Sequence, residues 1–73
     1  MIFYIGGRKI PIDEQLVEKY IASTHESKDT MQLILTVILR NIIDLDNTQE
    51  IFEKYTEREI KNILEAQLKK ELY

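Results

Sequence analysis

Few residues in this chain have the types and spacing that chemistry requires. His25 is the sole histidine, and it stands among Ser23, Glu26 and Ser27. A nucleophile and its base must sit roughly 2.6–3.2 Å apart, with a third group orienting the base. Neighbours within one polar turn do not supply that arrangement together with an oxyanion site. A solvated turn between helices is the expected role. One histidine in a chain without cysteine also falls short of the protein ligand set of a zinc site. Asp44, Asp46 and Thr48 match the first three ligand positions of a calcium loop. Gln49 then stands where the sharp turn needs glycine, and Tyr55 where the bidentate glutamate belongs. Helix-end acids and an N-cap account for that segment instead.

Gly6-Gly7-Arg8-Lys9 is glycine-rich and basic. It lacks the longer spacing of a phosphate loop and the Lys-Ser/Thr that would open a helix. It reads as the tip of a hairpin. Tyr4, Arg8 and Lys9 together form a small cationic finger suited to phosphate or to an acidic protein surface. No catalytic, cofactor-binding or metal-binding residue is expected, and the chain reads as non-enzymatic.

The elements that must position this finger follow from where the backbone punctuation falls. Gly6, Gly7 and Pro11 are the only glycines and the only proline. Gly and Pro break helices and shape turns. From Ile12 onward the chain, rich in Ile, Leu, Glu, Lys and Gln, reads as consecutive helices joined by short polar turns. The fold class is mostly α, in an α+β arrangement. An N-terminal β-hairpin or ribbon (residues 1–12) is followed by three to four helices (residues 13–73), all in one domain of residues 1–73.

In the head, two β-prone runs flank the Gly-Gly pair, a signal for a two-residue turn. That register sets Ile5 opposite Arg8, Tyr4 opposite Lys9 and Phe3 opposite Ile10. Alternation puts Phe3, Ile5, Ile10 and Ile12 on one face, with Arg8 at its rim. Ile2, Tyr4, Lys9 and Pro11 fall on the other. The first face is expected to dock on the helices, and Pro11 marks an edge or strand end.

Asp13 is the expected N-cap of the first helix, with Ile12 and Val17 at staple spacing. Leu16, Val17, Tyr20 and Ile21 make its apolar stripe. Asp29 and Gln32 have capping-box spacing at the start of the second helix. That helix is apolar over most of its circumference, with Gln32, Thr36 and Arg40 recurring every four residues as a narrow polar stripe. Such a helix must be covered on most sides. The first helix, the hairpin and the last helix cover part of it, and a symmetry mate is expected to cover the rest. The expected dimer core is Ile34, Val37, Ile38, Leu39 and Ile42. Asn47 with Glu50 opens a short third helix. Thr56 with Glu59 is the clearest capping box, opening a fourth helix whose stripe is Ile60, Ile63, Leu64, Leu68 and Leu72. Glu57–Lys61 and Glu65–Lys69 have the spacing of helical ion pairs.

Composition bounds the function. With 73 residues the chain is one small domain, and it buries only about 60% of its extended-chain surface. Small domains need a staple, and without cysteine self-association is the one expected. A 44% hydrophobic content is too high for a disordered chain of this charge. The net charge of −3 divides into +2 over residues 1–12 and −5 over residues 13–73. An acidic body disfavours a broad nucleic-acid footprint, while a basic head permits a small one. The apolar stretch from Met31 to Ile43 is interrupted by polar residues and falls short of the roughly 20 that a membrane span needs. No membrane association is expected. The N-terminus has no positive region before an apolar core, so a cytoplasmic location is the expectation. The leading functional expectation is a small interaction protein, an adaptor or inhibitor, that pairs with itself and with an unidentified protein.

Ile10-Pro11-Ile12-Asp13-Glu14-Gln15-Leu16, followed by two helical segments, resembles a ribbon-helix-helix DNA-binding subunit over residues 8–43. The resemblance implies an intertwined dimer with a buried second helix. It also implies a ribbon built from one strand of each chain that enters the major groove. On that reading the partner is DNA and the function is transcriptional regulation, with Arg8 and Lys9 at the nucleic acid.

Overall fold

The Gly-Gly turn dictates how the chain starts. Gly6 and Gly7 take φ of 58° and 81°, the positive pair that a primed hairpin turn requires. They join β1 (Ile2–Ile5) to β2 (Arg8–Pro11) in an antiparallel pair. The register is Ile2 with Pro11, Phe3 with Ile10, Tyr4 with Lys9 and Ile5 with Arg8, as the sequence predicts. Reciprocal bonds between Met1 and Ile12, of 2.7 and 2.9 Å, extend the ladder by one more pair. Bonded and non-bonded pairs alternate in such a ladder, so Pro11 falls at a non-bonded position. Its missing N–H therefore removes no ladder bond.

The computed structural model describes residues 1–43 and 50–73. After the hairpin come α1 (Glu14–Thr24), α2 (Lys28–Ile43), the short α3 (Ile51–Lys54) and α4 (Glu57–Leu72). Over the described residues the fold is thus a mostly helical α+β arrangement of a two-stranded hairpin and four helices. Both strands belong to the same chain. This corrects the topology that the ribbon-helix-helix resemblance implies, one strand per chain, because the turn glycines close the pair locally.

Caps fix the helix starts. Asp13 accepts from the Gln15 N–H at 2.9 Å and opens α1. Thr56 and Glu59 form a reciprocal capping box, both bonds 3.1 Å, and open α4. At α2 the expectation needs correcting. Ser27, not Asp29, supplies the cap: its hydroxyl accepts from the Thr30 N–H at 3.1 Å and its carbonyl from the Met31 N–H. Asp29 lies in the first turn. His25 ends α1 in a left-handed conformation, φ 61° and ψ 24°, donating its N–H to the Ile21 carbonyl. It is an exposed turn residue, as expected. The expected Asn47 cap of α3 and the calcium-like Asp44–Thr48 segment lie outside the described residues.

The core gathers one face of every element. Phe3, Ile5, Ile10 and Ile12 come from the hairpin, Leu16 and Val17 from α1, and Met31, Leu35 and Leu39 from α2. Ile51 comes from α3, and Ile60, Leu64 and Leu68 from α4. The inward hairpin face is the one alternation predicts. Glu65 of α4 ties the layers together: its Oε2 accepts from the Asp13 N–H and its Oε1 from Lys61 Nζ, both at 2.8 Å. Lys61 therefore pairs with Glu65, and Glu57 with Arg8, in place of the expected Glu57–Lys61 and Glu65–Lys69 pairs. Among the described residues, no helix is long and apolar enough to cross a membrane.

Candidate functional site

Two surfaces carry the residues that the sequence singles out. The first is the outward face of the hairpin. Ile2 and Tyr4 are 59% and 58% exposed there, beside exposed Lys9 and Pro11. Tyr4 and Lys9 are register partners on this face. Arg8 does not join them. Its guanidinium reaches Glu57 Oε1 at 3.5 Å and its Cζ stands 5.0 Å from the centre of the Phe52 ring. That is cation–π range. Arg8 is thus folded toward α3 and α4, at the rim of the inward face. The cationic finger is split, with Tyr4 and Lys9 presented outward and Arg8 shared with the helical body. Because Arg8 and Glu57 are both about half exposed, their ion pair is weak.

A groove of about 350 Å³ lies beside this face, lined by Ile2, Phe3, Tyr4, Lys28, Asp29 and Gln32. Gln32 forms its wall and closes the free edge of β1. Its Oε1 accepts from the Tyr4 N–H at 2.8 Å and its Nε2 donates to the Tyr4 carbonyl. The sequence pattern marks Gln32 only as a polar stripe residue and a helix-box partner. Its tertiary role depends on where α2 meets β1, which local spacing does not encode. A second groove of about 290 Å³ lies between Pro11 and the first turns of α4, lined by Glu57, Arg58 and Lys61. Among the described residues, no cluster of three or more His, Cys, Asp or Glu forms a metal-ligating set.

The second surface is the outward side of α2. Met31, Leu35 and Leu39 point into the chain's own core, each fully buried. Opposite them, Leu33 is 68% exposed and Val37 55%. Ile34 and Ile38 are half-buried along one flank, and Ile42 is 47% exposed near the C-terminal end of the helix. Of the expected dimer core, the structure brings Ile34, Val37, Ile38 and Ile42 to reachable surface. Leu39 is turned inward, where it fills the core. Leu33 belongs to the outward stripe, although it is not in the expected set. Its i,i+4 spacing to Val37 is the signal that marks it.

Comparison with protein-family models, with curated proteins and with solved structures gives no match in any of the three.

Proposed function

We propose that this chain is a small non-enzymatic protein-interaction module, an adaptor or inhibitor, that works as a homodimer. The observation that carries this reading is the outward side of α2, where Leu33 and Val37 are more than half exposed on a helix whose opposite side is fully buried. Apolar side chains of this size gain about 1.5–3 kcal/mol each on complete burial. A 73-residue chain has a small core, so covering this stripe is a large increment to its stability.

Self-association through α2 leaves the outward hairpin face for a second partner. Ile2, Tyr4 and Lys9 offer an apolar surface with one cation, which fits an acidic group flanked by apolar side chains on another protein. A cytoplasmic setting accords with a chain free of cysteine.

DNA binding is the second reading, using Lys9 and Arg8 of each protomer. It ranks below the first because Arg8 lies toward Glu57 and Phe52 rather than beside Lys9, and because the body carries −5. A pull-down on the tagged chain from cell lysate, with and without nuclease, separates the two. Retention that survives nuclease and is lost in the Tyr4→Ala, Lys9→Glu variant supports the protein partner. Retention abolished by nuclease moves DNA to first place.

A further inference from the structure

The outward stripe of α2 carries a charge pattern as well as an apolar one. Asp29, Leu33, Val37 and Arg40 follow one another at intervals of four, four and three residues, so they share one side of the helix. All four are exposed. The acid stands toward the N-terminal end and the cation toward the C-terminal end. At about 1.5 Å of rise per residue they are roughly 16 Å apart along the axis, too far to meet within one helix.

We infer that the second copy lies antiparallel across α2, so that Asp29 of each chain meets Arg40 of the other over a contact built from Leu33 and Val37. This rests on the proposed self-association and specifies its geometry. In an antiparallel pair, a two-fold axis perpendicular to the plane of the helices sets each flank against the same flank of its mate. With the axis midway between Asp29 and Arg40, both opposite-charge pairs are level at once. Leu33 then comes within one residue's rise, about 1.5 Å, of the level of the mate's Val37. Ile34 falls beside the axis, against its own mate. A parallel pair instead sets Asp29 level with Asp29 and Arg40 level with Arg40, and forfeits both attractions. Antiparallel alignment also brings the positive N-terminal end of each helix beside the negative C-terminal end of the other. The contact is isologous and closes at two copies.

The test compares Asp29→Arg, Arg40→Asp and the double exchange with the parent chain by sedimentation equilibrium at low ionic strength, where such pairs are least screened. Each single reversal puts like charges at both symmetric contacts and is expected to weaken the dimer about tenfold. The double exchange is expected to return it to within about twofold of the parent, a recovery that two residues so far apart in one helix would not produce alone. Both positions are exposed, and circular dichroism checks that the helices persist. A parent dimer indifferent to the single reversals overturns the antiparallel arrangement and leaves self-association standing. An absent parent dimer removes both. A second measurement uses thiols, since the chain has no cysteine of its own. On mixing Leu33→Cys with Val37→Cys under oxidation, the mixed disulfide is expected to exceed either like disulfide several-fold. A preponderance of like disulfides overturns the arrangement.

Discussion

The side-chain amide of Gln32 pairs with both backbone polar groups of Tyr4, its Oε1 accepting from the N–H at 2.8 Å and its Nε2 donating to the carbonyl. Tyr4 is at a non-bonded position of the hairpin, so these groups point away from β2. An exposed strand edge is a template for pairing with other chains. Gln32 occupies that edge from within, and Pro11 blunts the opposite one. A ribbon pairing between chains along β1 is obstructed at its middle.

Replacing Gln32 by Ala therefore removes two hydrogen bonds that solvent only partly restores. The expected loss is about 1–2 kcal/mol in denaturant unfolding, together with faster amide exchange at Tyr4. An unchanged Tyr4 exchange rate would contradict the pairing.

Gly7 tests the turn. A Cβ added there meets nothing within 4 Å, so crowding does not enter. Its φ of 81° alone makes Gly7→Ala unfavourable, by about 1–2 kcal/mol. Thermal unfolding checks it. A neutral or stabilising effect would argue against the primed turn.

How much was legible in the sequence follows from how local each cause is. The hairpin register, the Asp13 cap and the Thr56–Glu59 box depend on residues within a few positions of one another, and all three are read directly. Ser27 and Asp29 are both good cap residues two positions apart, and local propensity does not choose between them. A left-handed His25 has no glycine to announce it. The spacing of helical ion pairs does not decide which form, because each is worth only about 0.3–0.5 kcal/mol. Packing decides instead, by giving Glu65 the Asp13 amide and Glu57 the Arg8 side chain. On α2, apolar residues surround the helix, so the pattern does not say which side faces inward. The placement of β1 and α4 sends Leu39 to the core and Leu33 outward.

Alkaline pH tests the α1–α4 contact. Burial raises the Tyr20 phenol above its ordinary value, with the nearby Glu71 carboxylate adding to the shift. The folded state thus favours the neutral phenol. Its contribution is full below the unfolded value of 10.0 and is lost as pH rises through the folded one. The melting temperature is expected to fall above pH 10, and to fall less in Tyr20→Phe. Equal slopes in the two proteins would count against the partly buried phenol.

The hairpin cations set a bound on nucleic-acid binding. With Arg8 and Lys9 contributed twice per dimer, four phosphate contacts limit the slope of log affinity against log salt to about −3.6. Replacing both by Glu is expected to abolish any binding while leaving the helical signal intact. Specific nanomolar binding at physiological salt is expected to be absent. A footprint on a defined operator at that salt would put the regulator reading first.

Self-association through the outward side of α2 is tested most directly by sedimentation equilibrium across micromolar concentrations. The parent chain is expected at twice its 8.7 kDa. Leu33→Asp is expected at the monomer mass with its helical signal retained, because Leu33 is 68% exposed and outside the core. A parent chain that stays folded at 8.7 kDa throughout, or a Leu33→Asp variant that dimerises as tightly as the parent, would contradict the claim.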